Sequence, residues 1–118
     1  MALELARSGA DVKAAVGFHS GLSTANAKPA DNADITAKVL VCVGDNDPLI
    51  PVESVIEFEA AMRTTSVDWQ VHRYGGVGHS FTNTNASALG VPGVAYDVAA
   101  DHRSWSAMVG LFRETILA

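Results

Sequence analysis

The run Val39–Val43, Val-Leu-Val-Cys-Val, constrains the fold more than any other stretch of this chain. It is apolar throughout, with no polar residue alternating into it. A strand with one wet face alternates, whereas a parallel strand covered on both faces reads as a continuous apolar run. A parallel strand in turn demands partners reached by crossover connections, and the flanking sequence supplies candidates.

Ala2–Arg7 is rich in strong helix formers, and Gly9 stands where a helix end favours a left-handed residue. "VKAAVGF", residues 12–18, reads as a short apolar strand, and "HSGLSTANAKPADNAD", residues 19–34, as a loop. After the central run, Pro51 opens a helix over 51–65, with Val52, Val55, Ile56 and Met62 at helical spacing and Glu53 near its positive end. In "VDWQVHRY", residues 67–74, Val67, Trp69 and Val71 alternate with Asp68, Gln70 and His72, which predicts a strand near a sheet edge. A long loop containing "LGVPGVAY" leads to a last helix over 100–117, with Trp105, Met108, Leu111, Phe112 and Ile116 on one face. Strands alternating with helices predict an α/β fold: a short parallel sheet flanked by helices in three layers, with right-handed crossovers.

The chain has 118 residues, which suits one domain spanning 1–118, and 48% are apolar, enough for a core. A net charge of −5 with interspersed acids and bases argues against nucleic acid as a partner. The single cysteine, Cys42, excludes an intrachain disulfide and points to a reducing, cytoplasmic compartment. No apolar run reaches membrane-spanning length, so no membrane partner is expected. The four histidines, His19, His72, His79 and His102, lack metal-ligand spacing, and no glycine-rich phosphate loop follows a strand, so neither a metal nor a cofactor is expected.

Ligands of such sheets sit at the carboxyl ends of the strands, which selects His19–Ser20, Gly44–Pro48 and Gly75–Phe81. In "GDNDPLIP" Asp47 can cap a turn or helix, or can be aimed at that rim; Asp45 carries the same two readings. In "YGGVGHSF" three glycines present His79 on a loop at the same rim. A carboxylate accepting the Nδ1–H of an imidazole fixes its tautomer, so Asp47 and His79 are the candidate catalytic acid and base. An attacking group is harder to find. Cys42 lies inside the apolar run, Ser80 adjoins the base in sequence, and Ser20 lacks the strained strand-to-helix turn that exposes a nucleophile. Trp69 and Trp105 read as packing residues, and Arg73 as a weak candidate for holding a substrate carboxylate.

Four segments, "ALELARSGADVKAAVGFHSGL", "GDNDPLIPVESVIEFEAAMR", "VDWQVHRYGGVGHSFTN" and "AYDVAADHRSWSAMVGLF", resemble the C-terminal half of the dienelactone hydrolase family. The combination G-x-x-D-P, Y-G-G-x-x-H-S-F-T-N and A-D-x-R-S-W carries the resemblance. It implies a partial α/β-hydrolase domain that opens ester or lactone substrates with a Cys or Ser nucleophile, His79 as base and Asp47 as acid. Two positions depart from the family: Ser20 stands where glycine is usual, and Gly78 replaces a larger residue.

The family's nucleophile elbow, G-x-C-x-G or G-x-S-x-G, precedes the helix that here begins at Ala2, with only Met1 ahead of it. The resemblance therefore implies two members of a triad whose nucleophile this chain does not encode. It also implies an open edge on the strand at 12–18. The expectation is self-association through that edge, or pairing with an N-terminal half. The alternative is a non-catalytic remnant or interaction module that associates through the same edge.

Overall fold

The computed structural model describes residues 1–23 and 28–116. Its elements run α1 (Ala2–Arg7), β1 (Ala14–Phe18), a 3-10 helix (Pro29–Asp34), β2 (Lys38–Gly44), α2 (Val52–Arg63), β3 (Trp69–Tyr74), a second 3-10 helix (Ala86–Leu89) and α3 (Val98–Thr115). The stretch expected as a plain loop over 19–34 thus contains a helical turn; its residues 24–27 lie outside those described. The expected end of the last helix at Leu117 also lies outside them.

The three strands are parallel in the order β1-β2-β3, with Val16 opposite Leu40 and Val41 opposite Val71. β2 is central, as its unbroken apolar run predicts. Its side chains still alternate in direction, because the pleat sends successive residues to opposite faces. Val39, Val41 and Val43 pack with Leu3 and Ala6 of α1 and with Val55, Phe58 and Met62 of α2. Leu40 and Cys42 pack on the other face with Val77, Phe81 and, from α3, Ala100 and Leu111. Each buried aliphatic or aromatic side chain contributes about 1.5–3 kcal/mol. Both faces of β2 are therefore spent on core, leaving its carboxyl end as the place for chemistry.

Two helical stripes differ from the sequence expectation. On α2 the buried residues are Val55, Phe58 and Met62, while Val52 and Ile56 are exposed. On α3 the buried residues are Ala100, Ser104 and Leu111; Trp105 is 61% exposed and Ile116 is exposed too. Trp105 is therefore not a core residue. A helix turns about 100° per residue. The face selected by Ala100, Ser104 and Leu111 leaves Trp105 rotated off the sheet, although its own spacing with Phe112 and Ile116 is helical. Trp69 does pack, edge-on against Phe58 with ring centroids 6.4 Å apart.

Arg7 ties α1 to the segment that follows β1. Its side chain is only 1% exposed. Nε donates to Asn32 Oδ1 (2.7 Å), Nη1 to Glu4 Oε1 (2.7 Å) and to the Ser23 carbonyl (3.3 Å), and Nη2 to the Leu22 carbonyl (2.9 Å). A planar, permanently charged fork suits four divergent acceptors better than an ammonium does. Removing it leaves buried acceptors without a donor. Arg7→Met is expected to lower unfolding stability by about 2–4 kcal/mol, with little recovery in Arg7→Lys. The urea midpoint of each variant measures this, and an unchanged midpoint in Arg7→Met refutes the clamp.

Candidate active site

The site lies where β2 and β3 end side by side. The turn after β2 is stitched to the loop after β3 by two backbone bonds: Asp45 N–H donates to the Tyr74 carbonyl (2.8 Å) and Asn46 N–H to the Val77 carbonyl (2.9 Å). This close approach requires glycine at position 44. A Cβ there would collide with the carbonyl oxygens of Val77 and Gly78.

Asp47 stands inside that turn, its side chain fully buried. Oδ1 accepts the backbone N–H groups of Leu49 (2.7 Å) and Ile50 (3.1 Å), just ahead of α2. Oδ2 lies 2.7 Å from His79 Nδ1. The two sequence readings of Asp47, turn cap and imidazole partner, are both realised, one on each oxygen. With an acceptor-only carboxylate at Nδ1, the neutral imidazole carries its proton there and leaves Nε2 as the basic nitrogen. Nε2 has no hydrogen-bond partner among the described residues, and the His79 side chain is 21% exposed, enough for a substrate to reach it.

His79 is also gripped through its backbone. Its N–H donates to the Gly93 carbonyl (2.8 Å), and its carbonyl accepts from Ala95 N–H (3.2 Å), forming a parallel bridge with Val94. "LGVPGVAY", to which the sequence assigned no role, is thus the outer clamp on the base. The fit depends on Gly78, whose absent Cβ would strike the Gly93 carbonyl oxygen. The small residue at 78 does more than reshape a pocket: it admits the clamp. Next along the chain, Ser80 has φ +58°, a left-handed conformation uncommon outside glycine.

The remaining candidates do not join the pair. Cys42 is fully buried within β2, its side chain on the α3 face of the sheet, and burial pushes its thiol pKa up, away from thiolate chemistry. Neither Ser20 nor Ser80 hydrogen-bonds His79 among the described residues. Arg73 faces Asp45 (3.7 Å) and Glu59 (3.6 Å). Those carboxylates, not the His79 loop, occupy it. His19, which the sequence placed only on the right rim, sits beside His79 with ring centroids 5.4 Å apart. A recess of about 280 Å³ is lined by Phe18, Thr82, Asp101, Ser104 and Trp105, and so includes the chain neighbour of His19 and its hydrogen-bond partner.

A parallel sheet covered by helices on both faces, with a buried carboxylate holding an imidazole at its carboxyl rim, matches the acid–base portion of the α/β-hydrolase arrangement. The chain belongs to the dienelactone hydrolase family, whose sequence profile matches residues 1–116. It is similar to the dienelactone hydrolase-like promiscuous phosphotriesterase P91 from metagenomic libraries: 44% identity, TM-score 0.86, covering 96% of this chain and 46% of that one. It is 30% identical over 103 residues to the uncharacterized protein K02A2.1 of Caenorhabditis elegans, covering 87% of this chain and 65% of that protein. Thermogutta terrifontis esterase 2, solved phosphorylated by paraoxon, shares the fold at 18% identity and TM-score 0.58, over 86% of this chain and 40% of that one. The chain therefore spans about half the length of the solved structures it matches. No helix among the described residues is long and apolar enough to cross a membrane.

Gly78→Ala is expected to push the 90–95 segment off His79 and lengthen the bond to Asp47. The proton on His79 Nδ1, followed by NMR, reports it: a slowly exchanging downfield signal is expected in the unaltered chain and its loss in the variant. Retention of that signal in Gly78→Ala means that the clamp does not set the imidazole.

Proposed function

We propose that this chain supplies the acid and base of an ester- or lactone-hydrolysing active site, with Asp47 orienting His79. The observation that carries the reading is the 2.7 Å bond between a fully buried carboxylate and an imidazole whose other nitrogen is open. In the reaction, His79 Nε2 takes the proton of an attacking Cys or Ser as that atom bonds to the substrate carbonyl. The imidazolium is stabilised by Asp47 and returns the proton to the departing alkoxide oxygen, which in a lactone stays tethered to the acyl group. A second cycle with water releases the acid and restores the nucleophile. The same base would serve attack at phosphorus, the chemistry for which the similar phosphotriesterase P91 is named.

The attacking atom comes from the polypeptide that occupies the free edge of β1. Among the described residues that strand pairs only with β2, so one row of its N–H and C=O groups has no sheet partner there. Exposed apolar residues elsewhere in the chain include Leu5 and Trp105. Unpaired strand edges with apolar surroundings are templates for another strand. The occupant proposed is the counterpart of the rest of the P91 fold, of which this chain covers 46%. The same free edge supports the second reading, a non-catalytic module that binds a partner by strand addition.

Two experiments separate these readings. The chain is joined to the elbow-bearing portion of a similar hydrolase and assayed on an aryl ester, a lactone and an aryl phosphotriester. His79→Ala is expected to lower kcat by about 10²–10⁴. Asp47→Asn is expected to approach 10⁴, on the order of the loss when an orienting carboxylate is amidated. A rate unmoved by His79→Ala ends the enzymatic reading. Separately, sedimentation of the chain alone is expected to show self-association through the vacant edge, replaced by a one-to-one complex when the elbow-bearing portion is added. A monomer at micromolar concentration that ignores this addition overturns the edge assignment.

A further inference from the structure

His19 stands one residue past the end of β1, on the strand beside the one that delivers Asp47. Its backbone N–H continues the ladder by donating to the Cys42 carbonyl (2.9 Å). Immediately there the chain bends into a left-handed conformation, φ +41°. For a non-glycine residue that costs about 1–2 kcal/mol, and such conformations persist where the surroundings over-determine them. The surroundings here are specific. The imidazole is wedged edge-on between His79, at 5.4 Å and 70°, and the fully buried Phe81, at 5.1 Å and 83°. Its Nε2 lies 2.8 Å from Thr82 Oγ1, a bond between residues 63 apart in sequence.

The segment from His79 to Thr82 is therefore held at both ends by side chains from two adjacent strand termini. Asp47, after β2, holds the His79 ring. His19, after β1, holds the Thr82 hydroxyl. Between the two anchors the chain makes a second left-handed step at a non-glycine residue, Ser80 with φ +58°. Two strained residues, one in each partner segment, flank a single imidazole. Backbone bonds also hold this loop, His79 by the 90–95 segment and the Phe81 carbonyl by Asp97 N–H (3.1 Å), so the His19 anchor acts on what they leave free: the Thr82 end and the setting of the His79 ring against Asp47 and an incoming nucleophile.

We propose that His19 is a positioning residue for His79, acting through its bond to Thr82 and its edge-on contact with the His79 ring. It is suited to that task because it resists charging. Burial pushes its pKa below the ordinary 6.5, and the neighbouring His79 pushes in the same direction, while its own backbone carbonyl and Asp47 oppose them. A neutral ring beside His79 adds no repulsion when His79 becomes cationic during proton transfer.

The kinetic part of the test rests on the hydrolase reading above; the spectroscopic part does not. In the chain itself, the Nδ1 proton of His79 is followed by NMR in His19→Ala, Thr82→Val and the double variant. The signal is expected to broaden or vanish in both single variants and to be no worse in the double. His19→Gln, whose amide can reach Thr82, and Thr82→Ser, which keeps the hydroxyl, are expected to retain it. In the elbow-completed hydrolase, His19→Ala and Thr82→Val are expected to lower kcat by up to about 10²-fold, the scale of a 1 Å misplacement, with KM little changed. The double variant is expected to match the singles. A His79 signal that survives in both single variants overturns the proposal whether or not the assembled protein is active. So do losses that multiply in the double variant, or a failure of both conservative variants to restore the signal.

Discussion

One buried carboxylate joins the two halves of this rim. Asp47 has no access to water, so its oxygens must be satisfied by protein. Oδ1 takes two backbone N–H groups at the approach to α2, and Oδ2 takes His79. The first pair of bonds fixes the turn after β2; the third fixes the imidazole relative to that turn. The position of the base is thus inherited from the sheet through three hydrogen bonds to one side chain. Nothing in the His79 loop alone would provide it, because that loop begins with consecutive glycines, Gly75 and Gly76.

The surrounding fold works to make that inheritance rigid. β2 is buried on both faces and paired on both edges, which makes it the least movable element of the sheet. Chemistry attached to its carboxyl end is attached to the core. The 90–95 segment adds backbone bonds on either side of His79, and the His19–Thr82 contact adds a side-chain anchor three residues further on. The close approaches that allow this are places where glycine has no Cβ, at 44 and at 78. Compactness around the base is achieved by deleting side chains as much as by packing them.

The core strand, the helix–strand alternation and the Asp47–His79 pairing were legible because each rests on a local pattern. Five consecutive apolar residues need two covered faces, and an acid and an imidazole after successive parallel strands share a rim by topology. The exposure of Trp105 was not legible. Its spacing with Phe112 and Ile116 is helical, but spacing does not say which of two neighbouring stripes meets the sheet; Ala100, Ser104 and Leu111 do. Arg7 likewise entered the sequence reading only as the end of a run of helix formers, yet it has acceptors on Leu22, Ser23 and Asn32, beyond β1 in sequence.

The sequence by itself determined the periodicities, the chain order of acid and base, and the glycine-rich loop that presents the imidazole. These follow from single residues and from neighbours a few positions apart. The tertiary structure alone decided that Asp47 divides its oxygens between a turn and an imidazole, that "LGVPGVAY" clamps His79, and that His19 reaches Thr82 across 63 positions. Those contacts join segments with no shared local pattern. Their geometry arises only when three parallel strands bring their carboxyl ends to one line.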